Sequence, residues 1–178
     1  FVTDTLDLVP EQTTEVDTLH YTYFPDLHYP WMEDFEGGSI SMDTTGVSQG
    51  HLEVDTNEVF EGKRSLRMQV YEVDSIIEAV TNLYYGIPLS SAIYLEMNYK
   101  CDVPFYVGLQ SYLQSGVRTT VIERLNSTEV WNKIYIDLTG TIAYNQLAAG
   151  HRIYFYVQKP SGMTTGKVYL DNLKIIYN

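Results

Sequence analysis

Along most of the chain, apolar and polar residues alternate in short runs cut by turn residues, the period-two pattern of strands that turn one face to a core. SLRMQVY at 65–71 sets Leu66, Met68 and Val70 against Arg67, Gln69 and Tyr71. IYLEMNYKC at 93–101 sets Ile93, Leu95, Met97 and Tyr99 against Tyr94, Glu96, Asn98 and Lys100. VPFYVGL continues the scheme with Val103, Phe105, Val107 and Leu109, and further strands are predicted at about 117–125, 130–138, 151–158 and 166–177. Breaks fall at Ser115-Gly116, Gly140, Gly150 and Ser161-Gly162. After Gly38 no helical period runs beyond ten residues; only VDSIIEAV (73–80) and YNQLAAG (144–150) allow a helical turn or two. The pattern predicts an all-β chain, two antiparallel sheets packed face to face as a jelly-roll sandwich.

The last run carries a local irregularity. In KVYLDNLKIIYN the apolar phase sits on Val168 and Leu170, then moves to Leu173 and Ile175. Such a change needs one extra residue, so a β-bulge is predicted at Asp171-Asn172.

Charge and composition set the N-terminal end apart. Residues 1–62 hold 14 Asp and Glu and no Lys or Arg, whereas 63–178 hold 9 acids and all 11 bases, so a −14 segment joins a +2 remainder. Residues 1–30 are acidic and Thr-rich with three prolines, and read as an extension that either tethers the domain or packs on it; the sandwich is predicted over 31–178. The acidic balance argues against nucleic acid as a partner, because phosphate binding draws on clustered Lys and Arg. No apolar run is long enough to span a membrane as a helix. The chain begins with Phe1, so removal of a preceding segment is an open expectation. Cys101 has no internal disulfide partner and reads as a strand-end residue.

Catalytic signatures are absent from the sequence: there is no G-x-S-x-G, no H-E-x-x-H and no Gly-rich phosphate loop. Glu33, Asp34 and Glu36 in WMEDFEGGSI are too close together to form a glycosidase pair by themselves. His20 and His28 would need two more ligands to bind zinc, and Asn126-Ser127-Thr128 matches a glycosylation sequon.

EDFEGG at the start of the sandwich, VFEGKRSLRMQV about 25 residues later, EVWNKIYIDLTG, and the closing GKVYLDNLKII together resemble the jelly-roll carbohydrate-binding modules. They are similar also to related domains of surface lipoproteins from Bacteroidetes. The resemblance covers residues 31–178 and implies a galactose-binding or concanavalin-like sandwich. It implies an exported protein at the cell surface or in the periplasm. It further implies a structural calcium where the first and last strands meet, with Asp34, Glu36 and Asp171 as its ligands.

The faces opposite the core set are rich in Tyr; the chain has 16 Tyr against 6 Phe. By alternation Tyr154, Tyr156, Tyr106, Tyr71, Tyr94, Tyr135 and Tyr169 point outward, with Trp131 in the phase of Tyr135. Arg67, Gln69, Gln110, Arg152 and Gln158 share the outward phase. Rings in a row can stack on the C–H faces of sugars while neighbouring polar groups bond the hydroxyls; alternatively, outward Tyr pairs simply stabilise the sheet. Tyr84, Tyr85 and Tyr112 form a second candidate site at the rim. The expected function is non-catalytic binding of oligo- or polysaccharide, as a glycan-capture accessory domain. The alternatives are a structural or adhesin-type domain that contacts protein and, further off, a hydrolase on the same sandwich.

Overall fold

The computed structural model describes residues 28–46, 48–89 and 92–177, and the side chains from Met32 onward within them. The first 27 residues of the predicted extension, His20 among them, lie outside the described residues.

Eleven strands and one helix are present among these residues. They are β1 (His28–Glu33), β2 (Met42–Thr44), β3 (His51–Asp55), β4 (Ser65–Tyr71), β5 (Ile76–Thr81), β6 (Ile93–Cys101), β7 (Phe105–Leu113), β8 (Gly116–Leu125), β9 (Thr128–Asp137), α1 (Thr139–Tyr144), β10 (Gly150–Gln158) and β11 (Thr165–Tyr177). One sheet, here called the back sheet, has the order β3-β4-β11-β6-β9 with β1 added to the free flank of β11; the front sheet has the order β2-β5-β10-β7-β8. Every pairing is antiparallel. The chain changes sheet after almost every strand, so both sheets close over one core, as a jelly roll does.

That core is the alternating set read from the sequence. Leu66, Met68, Val70, Leu95, Met97, Leu170 and Ile175 from the back sheet meet Phe105, Val107, Leu109, Ile153, Phe155 and Val157 from the front, all fully buried. Each such side chain contributes on the order of 1.5–3 kcal/mol by leaving water.

VDSIIEAV enters strand β5 at Ile76 and forms no helical turn. Val73, Ile76, Ile77 and Val80 mimic helical spacing, but Ile77 and Ala79 bury on one face while Val80 lies on the other, with β10 beside them throughout. A short apolar run fits either period, and sheet pairing decides it here. The other suggested turn lies slightly late: the helix spans Thr139–Tyr144 and ends at Asn145, whose N–H bonds the Thr141 and Ile142 carbonyls. Two strands beyond the predicted set, β2 and β3, are short and lie at sheet edges.

The bulge is where the phase change requires it. Asp171 pairs with Asn98 and Lys174 with Glu96, so three steps along β11 match two along β6. Asn172 takes φ 50°, in the left-handed region that Asn tolerates better than most residues. The bulge also divides β11 between neighbours, with β4 flanking Thr165–Leu170 and β1 flanking Leu173–Tyr177.

Candidate functional site

The acids of WMEDFEGGSI serve a turn. Phe35 is fully buried at φ 59°, a conformation costly for a side chain of its size, and three carboxylates secure the backbone around it. Glu33 Oε1 accepts the Phe35 N–H at 2.8 Å, Glu33 Oε2 accepts from Ser41, and Asp34 Oδ1 accepts the Glu36 N–H at 3.1 Å. Glu36 reaches across to the segment joining β3 to β4, where its Oε1 accepts the Lys63 and Arg64 N–H groups at 2.8 and 2.9 Å. The Lys63 N–H, ahead of the Arg64 N–H and the nearby cationic charges, holds the Glu36 carboxyl below its ordinary range against some desolvation. Gly62 turns at φ 76°, and a Cβ there would meet Glu36 Oε1 at 2.4 Å.

Asp171 secures the same segment from the other side. It is buried, and its Oδ2 accepts the Phe60 and Glu61 N–H groups at 3.1 and 3.2 Å while Oδ1 accepts the Asn172 N–H at 2.8 Å. Burial pushes its carboxyl up; the three N–H donors pull the other way without overcoming it, and the charge of Glu36 adds to the rise. Residues 56–64 thus form a strap across the outer face of the back sheet. Lys100 Nζ pairs with Glu58 at 2.6 Å, and the Phe60 ring packs 5.8 Å from Trp131.

Calcium requires six to eight oxygens. One oxygen each of Asp34 and Glu36 and both oxygens of Asp171 instead accept backbone N–H groups, and among the described residues no group of three or more His, Cys, Asp and Glu is placed to hold a metal. The three acids do not fit a cation cage; hydrogen-bond donors join the first and last strands through the strap.

The aromatic residues separate onto two sheets. Trp131 stands on the back sheet in a cluster with Phe60 and Tyr169, the latter 6.5 Å away. Arg67 is on that side too, paired with Glu53 at 2.5 Å and with buried Asp55 at 2.8 Å. Tyr71 and Gln69 on β4, Tyr94 on β6 and Tyr135 on β9 belong to this sheet as well, so none of these shares a face with the candidates on β7 and β10.

On the outer face of the front sheet, β10 presents Arg152, Tyr154, Tyr156 and Gln158, aligned with Gln110, Gly108 and Tyr106 of β7. Tyr106 and Tyr156 pack at 5.8 Å, and the Tyr156 hydroxyl donates to Gln158 Oε1 at 3.1 Å. At the other end Tyr84 joins Tyr112 at 5.5 Å, with the Arg152 guanidinium 4.7 Å above the Tyr84 ring and its Nε donating to Gln110 Oε1 at 3.0 Å. The rim site expected from Tyr84 and Tyr112 and the face expected from β10 are therefore one surface.

Two of the expected residues contribute less to it. Tyr154 lies on this face but is only 5% exposed; burial, followed by the charge of Glu78, pushes its hydroxyl well up. Tyr85 packs against the core, bridges His151 through its backbone, and has its hydroxyl pushed up to about 12 by burial and then by Glu33.

Arg124 joins the surface unexpectedly, with its guanidinium 5.9 Å from the Tyr106 ring centroid. Regular alternation from Val117 would turn Glu123 outward, but Gly108 pairs with Val121 and Val107 with Glu123, so Ile122 is an extra residue and Arg124 comes opposite Tyr106. The shift is visible in the apolar phase, which passes from Ile122 to Leu125. Gly108 is required there, because a Cβ would meet the Thr120 carbonyl oxygen at 2.2 Å.

Cys101 is buried and its thiol is pushed up to about 11, mainly by burial, so it is neither exposed nor ionised at neutral pH.

These features define a two-sheet jelly-roll β-sandwich with an aromatic and arginine-bearing front face. Among solved structures, the chain is similar to the CBM22-2 xylan-binding domain from Paenibacillus barcinonensis, at 18% identity and TM-score 0.59, over 83% of this chain and 99% of that one. It is similar to the C-terminal family 22 carbohydrate binding module of a Clostridium thermocellum protein, at 14% identity and TM-score 0.58, over 84% of this chain and 94% of that one. It is also similar to a CBM61 structure in complex with β-1,4-galactotriose, at 13% identity and TM-score 0.51, over 82% and 94% of the two chains. No family model matches the chain, and no curated protein does.

Proposed function

We propose that this domain binds oligo- or polysaccharide on the outer face of its front sheet and does not alter the sugar chemically. The observation that carries the reading is one face with the Tyr84–Tyr112 pair at one end and the Tyr106–Tyr156 pair at the other, and with Gln110, Arg152, Arg124 and Gln158 among them. Tyr rings offer an apolar face to pyranose C–H groups, and the amides and guanidiniums offer hydrogen bonds to hydroxyls. The similar structures support it, since they are described as xylan-binding or complexed with galactotriose, and are modules rather than catalytic domains. A glycan-capture role in an exported, surface-tethered protein is the setting that suits this chemistry, in line with the resemblance to surface lipoprotein domains.

Affinity electrophoresis through gels containing xylan or galactan, with a glycan array beside it, tests the reading. Wild-type protein is expected to be retarded, and Tyr112→Ala and Tyr156→Ala each to weaken binding by about five- to tenfold, the scale of an aromatic contact. Trp131→Ala on the back sheet is expected to leave retardation unchanged. Absence of retention by wild-type protein on every glycan would end the proposal.

A further inference from the structure

The ion pairs of the described residues all lie on the back sheet. On the back sheet Arg67 pairs with Glu53 and Asp55, Lys100 with Glu58, and Lys133 and Lys174 with Glu96. On the front sheet Arg152 and Arg124 have no carboxylate within ion-pair distance among the described residues. Arg152 is stacked on Tyr84 and bonded through Nε to an amide; Arg124 lies near Tyr106 and donates from Nη1 to Asn126 Oδ1 at 2.6 Å. Among the described residues ion pairs form only at Arg67, Lys100, Lys133 and Lys174, so what sets Arg152 apart is its stacking and amide contact within the Tyr-lined face. Aromatic and amide contacts fix a guanidinium without neutralising it, which leaves the terminal nitrogens of Arg152 able to take a planar oxyanion in a bidentate grip.

The acids of this face lie away from its Arg152 end, Glu78 level with Tyr156 and Asp43 level with Tyr154 across β5. Asp43 on β2 and Glu78 on β5 occupy the strands on the far side of β10 from Gln110 and Tyr112, and Glu78 already accepts the Thr45 hydroxyl at 2.8 Å. The net charge of −12 repels a polyanion at long range, but screening limits that repulsion to about 8 Å at physiological salt, so the groups in contact set the preference.

Building on the sugar-binding reading above, we propose that the ligand is an acidic polysaccharide, and that the end of the face formed by Arg152, Gln110, Tyr84 and Tyr112 receives the carboxylate of a uronic acid residue. The rings hold the sugar face while Arg152 pairs with the carboxylate. A neutral glycan leaves that charge unmatched.

Titration calorimetry with glucuronoxylan and polygalacturonate, each beside its carboxyl-reduced counterpart, separates the possibilities. At least one acidic polymer is expected to bind about tenfold tighter than its reduced form, the scale of a charge-assisted hydrogen bond. Arg152→Gln is expected to cut that ratio to below about twofold, and Arg152→Lys to keep part of it, each variant first shown to melt with the wild type. Equal binding of acidic and reduced forms, or a preference that survives Arg152→Gln, overturns the acidic ligand and leaves sugar binding intact. Failure of wild-type protein to bind any of the four overturns the acidic ligand, and overturns sugar binding as well only when the galactan gel and the glycan array are also negative.

Discussion

His151 shows how one inward residue can set the acid limit of the fold. It is buried at the start of β10, its Nδ1 lies 2.9 Å from the Ser111 hydroxyl, and no acid shares the contact. Burial pushes its imidazole below the ordinary value. The unfolded chain therefore takes up a proton near pH 6.5 that the folded chain refuses, so stability present above pH 6.5 is lost as the pH falls from there toward the lowered folded value. Melting temperatures measured between pH 7.5 and 5 should fall for wild type and fall less for His151→Gln, which keeps a partner for Ser111 but cannot titrate; parallel curves would refute this. Tyr154 illustrates the opposite limit of residue-level reading. Its outward phase was legible, whereas its burial depends on what lies around it on the face, which alternation does not report.

Among elements, the strap and the bulge act together. The bulge was legible because a phase change in an apolar series has a single geometric cause. Its purpose was not, because the backbone N–H groups that Asp171 receives come from residues 110 and 111 positions earlier in the chain, and an N–H leaves no mark in the sequence. Carboxylates at two strand ends suggested a cation; the structure supplies main-chain donors instead. Asp171→Ala leaves three N–H groups without their acceptor, and urea unfolding is expected to show a loss of about 3 kcal/mol at unchanged m-value. A loss below about 1 kcal/mol would show that water or another group satisfies them. The strand β5 was misread for a comparable reason: sheet pairing on both sides, not local period, makes IIEAVT a strand.

At the scale of the whole molecule, the two-sheet sandwich was legible from alternation and turn spacing, while the assignment of aromatics to sheets was not. Trp131 and Tyr156 share an outward phase and differ only in which sheet their strands joined, a consequence of the jelly-roll winding. That separation leaves one face strapped and ion-paired and the other lined with Tyr and Arg. Because hydrogen bonds close the junction of first and last strands, dialysis against EDTA is expected to leave the melting temperature unchanged; a fall that added calcium reverses would show a cation site.

The divided flank of β11 has a mechanical consequence. His28 stands opposite Tyr177, so the start of β1 and the end of β11 lie side by side and the strands run antiparallel away from them. A force pulling those two ends apart loads the β1 ladder one rung at a time, as a zipper is loaded, and not in shear across all rungs at once. The first part to yield under tension is then β1 alone, while the remaining ten strands and the Tyr-lined front sheet stay folded.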